Sequence, residues 1–274
     1  MREISLLDGQ VRGVILGQGP QRLLAFHGFL DNAYSFRRLS DALPDVELWC
    51  LDLPGHGLSS ALPEQEGTFI LQWLPVLGRA LDELNWPSYQ ILGHSLGAIL
   101  SQMLAALDPR ITSLLSLDGL GPLTASTAQN LDRFQKLYNA RGKRFPIRYY
   151  DSYDALIASR EKGMFPLSRS AAETMAGRAV GLSEHGWFHR YNRRLRDESL
   201  WRLSEEEVLG WLARIGCPVN LLLFDTHRWA PMRDVFEARQ RAVPELNLHQ
   251  MNGSHHNHLE QPDEVAVWVR QCLE

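Results

Sequence analysis

Between residues 22 and 251 the chain alternates short, nearly unbroken apolar runs with longer stretches whose apolar residues recur every three to four positions. The runs are "RLLAFHG" (22–28), "VELWCLD" (46–52), "YQILGHS" (89–95), "ITSLLSLDG" (111–119), "PVNLLLFD" (218–225) and "ELNLHQM" (245–251). A strand covered on both faces must be apolar on both side-chain sets, so runs of this kind predict a mostly parallel sheet between two helical layers. The opening "EISLLDGQVRGVILGQGP" reads instead as a hairpin turning at "DGQ".

Three intervening stretches carry a helical period. In "LGAILSQMLAALDP", Ile99, Leu100, Met103, Leu104 and Leu107 form one face, and Asp108-Pro109 stops it. In "TFILQWLPVLGRALDEL" the apolar face runs from Phe69 to Leu84, with Pro75 marking a kink or a restart. In "QPDEVAVWVRQCL", Pro262 suits a first helical position, and Asp263 and Glu264 suit the positive end of the helix dipole. Residues 122–205 break the rhythm. They hold no clear strand of parallel type and are rich in aromatic and basic residues, as in "HGWFHRYNRRLRD". The pattern therefore predicts a core of 1–121 and 206–274 with a mainly helical insertion, 122–205, over the sheet.

Composition narrows the function classes. The net charge of −4 gives no general attraction to nucleic acid or to an anionic membrane. Nowhere do eighteen consecutive apolar residues occur, so no membrane span is expected, and the N-terminal stretch lacks the pattern of a signal peptide. Three unrelated cysteines, Cys50, Cys217 and Cys272, read as thiols in a reducing compartment, giving a cytoplasmic expectation. The charge is uneven: residues 130–205 hold 15 Lys and Arg against 9 Asp and Glu, a surplus of 6, while the remainder holds 13 against 23. A basic lid could draw in an anionic substrate, although a solvated helical face accounts for the same surplus.

The candidate chemistry begins at "GHSLG" (93–97), which joins a predicted strand to a predicted helix. A serine hydroxyl attacks a carbonyl only if a base takes its proton and the backbone presents it to the substrate. A sharp strand-to-helix turn presents it, and crowds the positions two residues away on either side. Gly93 and Gly97 occupy those positions, with His94 between, so Ser95 is the candidate nucleophile.

With "HGF" at 27–29, "DLPGHGLSS" at 52–60, "GHSLG" at 93–97 and "GSHHNHLEQP" at 253–262, in that order, the chain resembles the α/β-hydrolase superfamily over nearly its whole length outside the insertion. "HGFLDNAYSFRRL" with "LDLPGHGLSS" resembles, more narrowly, the serine hydrolase-like branch. The resemblance implies an α/β-hydrolase fold with an inserted helical cap, and a cofactor-independent serine hydrolase acting on a small-molecule ester or acyl substrate. It implies an oxyanion hole of the Phe29 and Leu96 amides, each worth about 3 kcal/mol to the developing charge. Aligning Glu260-Gln261-Pro262 with the family's ending places the catalytic imidazole at His255, with His256 as fallback. His27 and His56 are expected to be structural.

The acid of the triad is open at this level. The family's usual "G-x-x-D" after the strand at 218–225 is missing, which leaves Asp118, favoured, and Asp225 as fallback. The cluster His255, His256 and His258 lacks a partner cysteine or carboxylate at ligand spacing, so no metal is expected. Two alternatives to an ester hydrolase stand: a hydrolase-shaped binding protein that has lost catalysis, and a thioester or C–C bond hydrolase using the same triad.

Overall fold

The computed structural model describes all residues except 61–68, 143–145, 164, 197–198 and 225–231. Strands β1 (Arg2–Leu6), β2 (Val11–Leu16), β3 (Gln21–Phe26), β4 (Val46–Leu51), β5 (Tyr89–His94) and β6 (Ile111–Leu117) come first, then the hairpin β7 (Val180–Ser183) and β8 (Gly186–His189), then β9 (Val219–Leu223) and β10 (Leu246–Gln250). Helices α1 (Arg37–Asp41), α2 (Leu74–Leu84) and α3 (Leu96–Ala105) alternate with the early strands. Helices α4 (Thr127–Ala140), α5 (Tyr153–Glu161) and α6 (Arg169–Ala179) follow β6. Helices α7 (Glu205–Ala213), α8 (Arg233–Ala242), α9 (Asn257–Glu260) and α10 (Pro262–Leu273) complete the chain.

Eight strands form one sheet in the order β1-β2-β4-β3-β5-β6-β9-β10. From β4 to β10 every neighbour is parallel, while β2 runs antiparallel to both β1 and β4. The apolar runs lie within one or two residues of these strands, and the two-residue period of a strand sorts them by face. Leu24, Phe26, Ile91, Leu114 and Leu221 pack with α2, α3 and α7 on one side. Leu23, Ala25, Leu92, Leu115 and Leu222 pack with α1 and α10 on the other. Pro75 falls in the first turn of α2, just after a 3₁₀ turn at Ile70–Trp73, so it marks a restart and not a kink. Among the described residues no helix is long and apolar enough to cross a membrane.

The inserted stretch is less purely helical than its sequence predicts. β7 and β8 form a two-stranded antiparallel sheet of their own, with Tyr150 bridging to Trp187. Four-residue strands next to a Gly186 turn are too short for alternation to stand out from noise. The segment is tied to the core by charge. Arg178 of α6 donates from Nε to Asp52 Oδ2 at 2.8 Å and reaches Glu3 at 3.0 Å. Arg160 of α5 donates from Nη2 to Asp31 Oδ1 at 2.8 Å.

Candidate active site

β5 ends at His94 and α3 begins at Leu96, so Ser95 is the lone residue at the turn. Its backbone lies at φ 50°, ψ −113°, a conformation that costs a non-glycine residue about 1–3 kcal/mol and needs surrounding structure to hold it. That structure is close at hand: the Ser95 N–H donates to Leu117 O at 2.8 Å, and its carbonyl accepts from Ile99 at 3.1 Å. The flanking glycines answer to close approach. A Cβ on Gly93 would lie 2.4 Å from Ala98 Cα, and one on Gly97 would lie 2.0 Å from Phe26 O.

Asp118 follows the last residue of β6 at φ 51°, with its N–H donating to Leu222 O at 2.8 Å. The chain beyond it is pinned from two helices. Gln102 of α3 donates to Gly119 O at 2.8 Å and accepts from the Gly121 N–H at 2.9 Å. Arg239 of α8, buried and paired with Glu205, donates to the carbonyls of Leu120, Gly121 and Pro122. The carboxylate of Asp118 thus stands on a backbone that has little freedom to move.

His255 lies in the turn after β10, and its Nδ1 meets Asp118 Oδ2 at 2.5 Å. A carboxylate only accepts, so Nδ1 carries the proton and, in the neutral ring, Nε2 keeps its lone pair. Burial lowers the His255 pKa to about 4, against the pull of Asp118, with His94 adding to the lowering. The ring is therefore neutral at pH 7, the state a general base needs. Phe165, from the inserted segment, covers it at a centroid separation of 4.2 Å. The fallback acid Asp225 lies outside the described residues.

The fallback base His256 faces another way: its Nε2 meets Asp31 Oδ2 at 3.1 Å. Asp31 is the hub of a buried network that the sequence reading left without a role. Burial alone would raise its pKa, but His256, His94 and Arg160 together hold it well below the ordinary carboxylate range. His94 donates from Nε2 to the carbonyl of His255 at 2.8 Å, and its Nδ1 stands 3.6 Å from Asp31 Oδ2. The residue before Ser95 thereby holds the backbone of the imidazole that the carboxylate of Asp118 orients. His258 meets Ser35 Oγ at 2.8 Å and packs its ring on His94. A signal for Asp31 was present in the sequence, a lone charge inside "GFLDNAYSF", but its partner Arg160 lies 129 residues away with nothing local to mark it.

Asp31, His94 and His256 also have the donor types of a transition-metal site, with ligand atoms within 4.8 Å of one another. The Arg160 guanidinium already supplies the positive charge on that carboxylate, and a divalent ion would be buried beside it. Of the three histidines read from sequence as a possible metal cluster, only His256 belongs to this group.

The two predicted oxyanion donors belong to different elements. Leu96 is the first residue of α3, where backbone N–H groups lack partners within the helix and carry its positive partial charge. Phe29 lies in the loop after β3, with its ring 46% exposed, beside Leu30 at φ 61°. His27 anchors that loop: Nε2 accepts from the Leu53 N–H at 2.9 Å and Nδ1 donates to Gly28 O at 2.8 Å. Burial lowers its pKa to about 4, so both nitrogens are used by a neutral ring that joins the "HGF" and "DLPGHG" stretches. His56 is likewise buried, with its pKa lowered to about 3 by burial and then by His27.

Comparison with known proteins follows the same lines. The family described as alpha/beta hydrolase fold matches residues 21–180. A "Probable serine hydrolase" of Drosophila melanogaster is 29% identical over 92% of this chain and 81% of its own. A "Serine hydrolase-like protein" of Danio rerio is 24% identical over 97% of this chain and 86% of its own. Among solved structures, a hypothetical protein from Pseudomonas aeruginosa PAO1 superposes with a TM-score of 0.85 at 29% identity, covering 98% of each chain. The thioesterase domain from the curacin biosynthetic pathway shares the fold, with a TM-score of 0.81 at 18% identity and 98% coverage of both chains.

Proposed function

Since the chain belongs to the α/β-hydrolase family and is a hydrolase, we propose that it cleaves carboxylic esters through an acyl-enzyme on Ser95. The observations that support this reading are the His255–Asp118 pair, closed at 2.5 Å, and the hydrogen bond to the His255 carbonyl from His94, the residue before a serine at φ 50° in a strand-to-helix turn. In the first half-reaction Ser95 Oγ attacks the ester carbonyl while His255 Nε2 takes its proton. The imidazolium that forms is supported through Nδ1–H by the Asp118 carboxylate. The amides of Phe29 and Leu96 receive the charge that develops on the carbonyl oxygen. Collapse of the tetrahedral intermediate breaks the bond to the alcohol oxygen, which leaves with the proton from His255. In the second half-reaction water adds to the acyl carbon, gives its proton to His255 and displaces Ser95, which regains a proton as the acid departs. Residues 122–205 act as a cap in this reading, with Phe165 shielding the imidazole from water.

The test is a fluorophosphonate probe followed by peptide mass spectrometry. The reading expects one adduct, on Ser95, absent from Ser95→Ala protein. Protein that stays unlabelled while a control hydrolase is modified would be a hydrolase-shaped binder and not this enzyme.

A further inference from the structure

A cavity of about 130 Å³ opens in the inserted segment, lined among others by Arg148, Tyr150, His189, Arg190, Tyr191 and Arg193. Among the described residues neither Arg148 nor Arg190 pairs with a carboxylate, whereas Arg160, Arg169 and Arg178 of the same segment do. Arg148 is held over the Tyr150 ring at 5.0 Å. Arg190 donates from Nε to Val180 O at 2.8 Å, which fixes the guanidinium and leaves its two terminal nitrogens for a ligand. The surrounding potential is positive: burial and then Arg160, Arg196 and Arg148 bring the His189 pKa down to about 4.

Backbone contacts join the lining of the cavity to the loop that carries His56. Tyr191 forms a β-bridge with His56, and the Asn192 N–H donates to Gly55 O at 2.7 Å. The His56 ring in turn lies 6.1 Å from the ring of Phe29, whose amide is assigned to the oxyanion hole. A guanidinium without a counter-ion, planar and fixed, matches the two oxygens of a carboxylate or phosphate. We propose that this cavity is a subsite for an anionic group, carboxylate or phosphate, carried on the arm of the substrate whose carbonyl meets Ser95. The proposal rests on the reading of Ser95 as nucleophile and names the substrate class for it: esters with a terminal acid several carbons from the scissile carbonyl. The charge surplus of the segment acquires a location, which a merely solvated helical face would not provide.

The experiment compares kcat/KM for p-nitrophenyl hydrogen adipate, which is anionic, with that for p-nitrophenyl hexanoate, which is neutral and of equal length. At low ionic strength the wild type is expected to favour the anionic ester by about tenfold or more, as hydrogen bonds to a charged group allow. In Arg148→Gln/Arg190→Gln protein the ratio should fall towards one, and in Arg148→Lys/Arg190→Lys protein it should stay between the two. A wild-type ratio of one or less, or a ratio the glutamine changes do not move, overturns the subsite. If neither ester is hydrolysed, the esterase reading fails and the subsite is decided by calorimetry on Ser95→Ala protein with adipate and, separately, inorganic phosphate. Heat from either probe that the glutamine changes remove supports it, and the absence of heat from both overturns it.

Discussion

The sheet and the segment inserted after β6 are held together by different forces. On the sheet, two large apolar clusters line its faces, and nearly every strand residue in them is fully buried. The segment's own cluster is small, with Leu156, Ile157, Leu167 and Met175 beside three alanines, and it borrows Leu259 from the core. Two ion pairs add to the backbone contacts that seat it, Arg178 on Asp52 and Arg160 on Asp31, with both carboxylates almost wholly buried. Those carboxylates stand in "DLPGHG" and "HGFLD", the loops that also carry His56 and Phe29. The segment's position and the geometry around Ser95 are therefore coupled through charge, while the sheet beneath depends on neither pair.

The sharpest way to separate the two regions is to remove the chemistry from the core. Ser95→Ala is expected to lower kcat for p-nitrophenyl esters by at least about 10³-fold, and Asp118→Asn by about 10³–10⁴-fold, as loss of a triad member or of its tautomer control does elsewhere. Thermal melts should stay near wild type for both. A near-normal rate in Asp118→Asn would move the acid away from the β6 end.

Acid comes next. The pKa values of His27, His56, His189 and His255 lie at about 3 to 4 in the folded chain, against about 6.5 in an unfolded one. Between those values the unfolded chain binds more protons, so the stability these groups leave intact above pH 6.5 is lost as pH falls towards 4. The loss is on the order of 1.4 kcal/mol per pH unit for each group. Denaturant titrations at pH 7, 6 and 5 check this, and a flat stability profile contradicts it. Activity of the remaining folded protein should persist to lower pH, because His255 stays a neutral base until about pH 4.

Breaking the ionic docking is expected to have a smaller effect on stability. Arg178→Met leaves Asp52 buried without its cation, a change that costs about 3–5 kcal/mol in comparable pairs, or a fall of about 10 °C in Tm for a chain of this size. Arg160→Ala frees Asp31 from a partly exposed partner. It is expected to lower kcat by about tenfold through looser placement of His94 and the His255 backbone, with a smaller change in Tm than Arg178→Met. If the two variants show the reverse order, charge docking and site geometry are not linked as described. Smallest of all is Arg169→Ala: its partners Asp154 and Glu173 lie on the exposed face of the segment, and no measurable change in Tm is expected.

The difference between the regions also sets how far each could be read in advance. A strand buried on both faces must be apolar throughout, so the runs at 22–28, 46–52, 89–95, 111–119 and 218–225 lie within a residue or two of β3 to β6 and β9, while the run at 245–251 matches β10 although that edge strand is largely exposed and not buried on both faces. The turn at Ser95 was legible for a similar reason, since the steric demand on Gly93 and Gly97 is local. In the segment no such rule applies. Phe134 and Tyr138 of α4 are about half exposed, whereas Phe165 lies on His255. Composition could not distinguish these aromatics, because each was judged without its neighbours.

From its sequence alone this chain determined a parallel sheet, the hydrolase family and the strand-to-helix turn that presents Ser95. The sheet and the turn follow from constraints between residues a few positions apart, and the family from the resemblance carried by four short motifs in their order along the chain. Only the tertiary structure decided that His255 meets Asp118, that His256 turns to Asp31, and that Arg160 and Arg178 seat the inserted segment on the loops of the core. Those pairs join residues 126 to 225 positions apart, and a charge in sequence carries no mark of the partner that will bury it.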